Sequence, residues 1–69
     1  MDVTEFEKEV NTIRAANGWK IELEFSGIWC ITVCDKETSK PLAVTGSTSL
    51  LGLLTVLKIP FSEPVWKKL

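Results

Sequence analysis

Histidine is missing from the 69 residues. With it goes the commonest metal ligand and the side chain best suited to moving protons near neutral pH. A positive surplus is missing too: eight Lys and Arg stand against nine Asp and Glu, for a net charge of −1. Neutralising a phosphate backbone needs a basic face, so nucleic acid is not an expected partner. No apolar run approaches the roughly 20 residues of a membrane-spanning helix. The longest uncharged stretch, "PLAVTGSTSLLGLLTVL", is interrupted by Pro, Gly, Ser and Thr. The start, "MDVTEFEKEV", is acidic and lacks the apolar stretch of a signal peptide. There is no P-loop, glycine-rich dinucleotide loop or serine-hydrolase elbow. Repeats, low-complexity segments and linkers are absent as well. These absences lead to the expectation of one soluble, cytoplasmic domain over residues 1–69. It is expected not to be an enzyme, with no membrane association, no cofactor and no small-molecule substrate. A chain of this length buries only about 60% of the surface its unfolded form exposes, so its stability is modest.

What is present is clear periodicity. Val3, Phe6, Val10 and Ile13 recur at spacings of three and four, which predicts an amphipathic helix over 3–16. Asp2 with Glu5, and Thr4 with Glu7, both have the spacing of a capping box. Asn17-Gly18 suits the helix end. The period then becomes two. Trp19, Ile21, Leu23 and Phe25 alternate with Lys20, Glu22, Glu24 and Ser26, as in a half-buried strand. Residues 28–34 form a second strand, and "DKETSK" is a polar turn. Pro41 opens a short third strand ending at Thr45. "GSTS" leads into a second helix, "LLGLLTVLK", with Leu50, Leu53, Leu54 and Leu57 on one face. Pro60 stops it. The tail, 60–69, either forms a last short turn or runs extended. Val56 and Ile59 lie outside the leucine arc, as a self-association patch or as a seat for that tail.

Strand register decides which face each side chain takes. A loop of Phe25-Ser26-Gly27 pairs Leu23 with Trp29, Ile21 with Ile31 and Trp19 with Val33, giving one wholly apolar face. A four-residue loop, Lys36 to Ser39, pairs Val33 with Leu42 and Ile31 with Val44. Both hairpins put the two cysteines, Cys30 and Cys34, on the opposite face. Four residues along a strand span about 13 Å at roughly 3.3 Å per residue. That is beyond the roughly 7 Å between Cα atoms that a disulfide permits. It is also too wide for one zinc ion, whose Zn–S bonds are about 2.3 Å. In the cytoplasm both thiols are expected to stay reduced. No metal site and no catalytic cysteine is expected; both are read as small fillers on a partly covered face.

Other constellations yield to plainer readings. Glu22 and Glu24 share a strand face at about 7 Å, a spacing that serves acid–base chemistry only across a cleft. They read as a solvated strip. Trp19 and Trp29 fall on the inner face, as core. Trp66, beside Lys67 and Lys68, either folds back over the core or stands out as a tail anchor for a partner.

The order helix–strand–strand–strand–helix resembles that of the double-stranded-RNA-binding domain. That family uses a lysine-rich start to its second helix and a histidine-bearing loop after its first strand. Here the matching stretches are "GSTSLLGLL" and "FSG", with neither residue. RNA-contacting residues therefore do not carry over, and the resemblance implies an order of elements.

The expected fold is α+β: a two-layer sandwich of α-β-β-β-α order. A three-stranded antiparallel meander carries both helices on one face. The expected core is Val3, Phe6, Val10, Ile13, Trp19, Ile21, Leu23, Trp29, Ile31, Val33, Leu42, Val44, Leu50, Leu53, Leu54 and Leu57. The face left open, with Ile28, Cys30, Thr32, Cys34, Ala43 and Thr45, is the expected interaction surface for a protein partner or a second copy. The function this implies is a non-enzymatic protein-interaction module, such as a small bacterial or phage-type accessory protein. The alternative is a nucleic-acid-binding regulator.

Overall fold

The computed structural model describes residues 2–69. Helix α1, Val3–Asn17, is opened by Asp2, whose Oδ1 accepts from the Glu5 backbone N–H at 2.8 Å. Of the two capping pairs in the sequence, the earlier supplies the cap. Gly18, at φ 68°, ends the helix and donates its N–H to the Arg14 carbonyl. The predicted helical face is the buried one, since Phe6 and Val10 are in the core. Val3, expected in the core, is 53% exposed in the first turn.

Strands β1 (Trp19–Phe25), β2 (Trp29–Asp35) and β3 (Pro41–Ser47) form the antiparallel meander, and β4 (Lys67–Lys68) adds to β3. The α+β architecture is as expected, with both helices on one sheet face and a small extra strand. The first hairpin closes on a Phe25–Trp29 pair, and Gly27 takes φ 79° in the loop. Leu23 therefore faces Ile31, and Ile21 faces Val33. The register lies two residues from the predicted one, which leaves every side chain on its predicted face.

The second hairpin has the predicted loop, with the Asp35 N–H donating to the Lys40 carbonyl at 2.9 Å. The Asp35 carboxylate locks the turn by accepting from the N–H groups of Glu37 and Thr38, at 2.9 and 3.0 Å. Those bonds, Thr38 first, hold its carboxyl below the usual carboxylate range. Cys34 pairs with Pro41 as the loop demands, but Val33 pairs with Ala43. Leu42 is thus an extra residue, a β-bulge. Beyond it β3 is turned over. Ala43 and Thr45 face the helices, 0% and 8% exposed, and Val44 faces away opposite Thr32. The expectation of Ala43 and Thr45 on the open face, and of Val44 in the core, is corrected accordingly. Leu42 still packs against the core from the bulge.

Helix α2, Leu50–Leu57, starts at Ser49, whose Oγ accepts from the Gly52 N–H at 3.0 Å. Leu53, Leu54 and Leu57 are buried as predicted, and Val56 joins them because the tail covers it. The tail turns at Pro60–Glu63 and again at Glu63–Trp66. Trp66 enters the core at 5% exposure, and its Nε1–H is shared between the carbonyls of Val56 (3.2 Å) and Ile59 (2.9 Å). Phe61 stacks on Trp19 at 5.1 Å and meets Trp66 edge-on at 4.8 Å. Trp66 is therefore an anchor for its own tail, not an exposed one for a partner. Leu23 lies on the predicted face yet is 41% exposed.

Candidate interaction surface

Side chains directly opposite across neighbouring strands share a face. The outer face, away from the helices, can thus be read in rows across the sheet. One row is Glu22, Thr32, Val44 and Lys67. On one side of it lie Glu24, Cys30 and Gly46, and on the other Lys20, Cys34 and Pro41. Acidic side chains hold most of the β1 margin, a lysine holds the β4 margin, and the middle is small and apolar. Lys20 and Glu22 form an exposed ion pair at 3.9 Å, of little energetic weight.

Ile28, 45% exposed, lies over the end of the face beside Cys30. It reaches there because Gly46 has no side chain. A Cβ on Gly46 would sit 3.0 Å from Ile28 Cδ1 and 3.8 Å from Cys30 Sγ. Cys34 is 4% exposed yet outside the core cluster, a filler on the outer side of the sheet. Both cysteines are free thiols.

The structure thus gathers Ile28, Cys30, Thr32 and Cys34 on one face. It replaces Ala43 and Thr45 with Val44 and Gly46, and adds Lys67. The triplet Leu42-Ala43-Val44 carries the only sequence signal for the exchange: three apolar residues in succession break the alternation. A two-residue strand offers no pattern, so Lys67 could not be placed.

Elsewhere, an apolar groove of about 480 Å³ runs between the end of α1 and Lys58–Phe61, with Trp19 in its wall. Lys58 is the one charged residue in its lining, so it offers shape without an acid–base pair. Glu22 and Glu24 stand exposed on the open sheet, as the solvated strip expected of them. Among the described residues, no three His, Cys, Asp or Glu side chains assemble as a metal site, and no helix is long and apolar enough to cross a membrane. Comparison with protein-family models, with curated proteins and with solved structures finds no match to this chain.

Proposed function

We propose that this domain is a non-enzymatic protein-interaction module working through the outer face of its sheet. The observation that carries the reading is the centre of that face. Ile28, Cys30, Thr32 and Val44 are only half-buried or exposed, with neither helix over them. Such a strip, flanked by Glu22 and Glu24 on one side and Lys67 on the other, suits a folded protein surface. That surface would be apolar at its centre, basic where it meets β1 and acidic where it meets β4.

Thr32→Arg tests this at the middle of the face. A partner recovered from the source cells and bound to purified protein is expected to lose at least about tenfold in affinity, since a desolvated misplaced charge costs several kcal/mol. The thermal unfolding of the variant should match that of the parent. Undiminished binding to Thr32→Arg and to Ile28→Glu would overturn the proposal. The nucleic-acid reading has one observation in its favour: β4 sets Lys67 and Lys68 together at a sheet edge. Sub-micromolar binding of duplex RNA near physiological salt would favour it; the outer-face reading expects far weaker binding, because two lysines alone cannot supply that affinity.

A further inference from the structure

We propose that β1 pairs edge to edge with β1 of a second copy, antiparallel, about a two-fold axis at Glu22. This goes beyond the outer-face reading, because it uses a different surface and a partner of known sequence. Among the described residues, β1 has a neighbour in the sheet on one side only, β2. The hydrogen-bond phase shows which groups are left for the other side. The Lys36 N–H donates to the Gly18 carbonyl at 3.1 Å, and the Ser26 N–H to the Ile28 carbonyl at 3.0 Å. Residues alternate in direction along an antiparallel ladder. Gly18, Lys20, Glu22, Glu24 and Ser26 therefore turn toward β2. Trp19, Ile21, Leu23 and Phe25 present their N–H and C=O groups to the open edge.

The strand "WKIELEF" is self-complementary in that phase. Centred on Glu22, Trp19 faces Phe25 of the second copy and Ile21 faces its Leu23, all on the inner side. Every outward-pointing backbone residue of β1 then has a partner. On the outer side Lys20 faces Glu24 of the second copy, twice by symmetry. Phe25 and Leu23, 60% and 41% exposed in the single chain, gain the apolar neighbours they lack. The other registers in the same phase serve less well. Centring on Leu23 sets Glu22 against Glu24 twice. Centring on Ile21 carries Phe25 past the end of the opposite strand. Helix α1 agrees with the choice. It runs antiparallel to β1, and Glu7 and Arg14 line the groove between them, which also holds Ile21 and Leu23. The axis sets Glu7 of each copy across from Arg14 of the other. One feature opposes the pairing: Glu22 meets its own copy at the axis, which keeps the association reversible.

Sedimentation velocity over a range of concentrations tests the pairing. The expected result is a concentration-dependent dimer. Lys20→Glu and Glu24→Lys, each at an exposed site, should weaken it at least about tenfold by placing like charges opposite one another. Combining the two substitutions should restore it. Glu22→Gln should tighten it several-fold. Thr32→Arg, on the outer face, should leave it unchanged, so failure of the edge pairing and failure of the outer-face reading are separable. A wild-type protein and a Glu22→Gln variant that both stay monomeric at hundreds of micromolar would overturn the proposal. So would a dimer that ignores Lys20→Glu, or one that the double swap does not restore.

Discussion

The two edges of the sheet are finished in different ways. At the β3 edge the chain returns and covers its own backbone. Two residues of β4 pair there, the Leu69 N–H donates to the Leu42 carbonyl at 3.0 Å, and Thr45 Oγ1 donates to the Val65 carbonyl at 2.9 Å. Just before the strand, Trp66 is sunk among Val56, Leu57 and their neighbours in the core cluster. At the β1 edge seven residues run without a bulge or a proline, and two of their apolar side chains are exposed. Unpaired edges invite association, and proteins usually blunt them with a cover, a bulge or charge. The contrast teaches that strand length does not close an edge here. A two-residue strand suffices where one buried indole holds it, and a seven-residue strand stays open where nothing is anchored across it.

That contrast breaks first at the indole. Trp66→Ala empties a core site and takes the indole N–H from the Val56 and Ile59 carbonyls, at a cost of about 3–5 kcal/mol. A domain of this size has about 3–10 kcal/mol in total, from roughly 0.05–0.15 kcal/mol per residue. Urea denaturation should show the variant largely unfolded, or folded with a midpoint shifted far down. A variant of near-parental stability would mean that the closed edge does not depend on its anchor.

Gly52→Ala probes the same side through α2. A methyl group there would run into Ser47 Oγ and lie 3.1 Å from both Ser47 Cβ and Ser49 Oγ, so the Ser47 hydroxyl must swing away from the Ser49 N–H it accepts from, and the start of the helix is crowded against β3. Overpacking costs up to about 3 kcal/mol, against the roughly 1 kcal/mol that alanine gains over glycine in a helix, and with three atoms crowded the cost is expected to win. Thermal unfolding should fall, and adding Ser47→Gly should recover most of the loss. Stabilisation by Gly52→Ala alone would show that β3 yields easily.

The smallest effect belongs to the open edge. Phe25→Ser removes an exposed ring whose centroid lies 4.8 Å from that of Trp29. In dilute protein it should cost about 1 kcal/mol, the scale of one aromatic pair. A loss as large as that of Trp66→Ala would mean that the two edges are equally closed.

Much of this was legible in the sequence, for reasons that differ by element. α1 and α2 were readable because their apolar spacing is unbroken and Asp2, Ser49 and Pro60 mark their ends. The first hairpin's pairing differs from the one its loop predicts by two residues, without harm, since a slip of two preserves the face. The second differs by one residue, which turns the strand over. Leu42, Ala43 and Val44 are all apolar, so either register buries something suitable, and only the bulge decides. The same ambiguity blurs the candidate surface: Cys30 and Thr32 depend on β2 alone and lie on the expected face, whereas Ala43 and Thr45 depend on β3 and lie on the opposite one. Leu23 and Phe25 mark another limit. Periodicity shows which way a side chain points, but not whether a helix reaches far enough to cover it.

The three tryptophans give the molecule an optical record of its own two margins. Trp66 is buried and hydrogen-bonded at the closed side. Trp29 is half in water beside Phe25 at the far end of the first hairpin, and Trp19 stacks on Phe61 where β1 begins. Replacing Trp66 by Phe, read on the fraction that stays folded, should strip the blue component from the emission, and replacing Trp29 by Phe should strip a redder one. A single cuvette can then follow the tail leaving the core and the bare strand acquiring a neighbour as two separate colours.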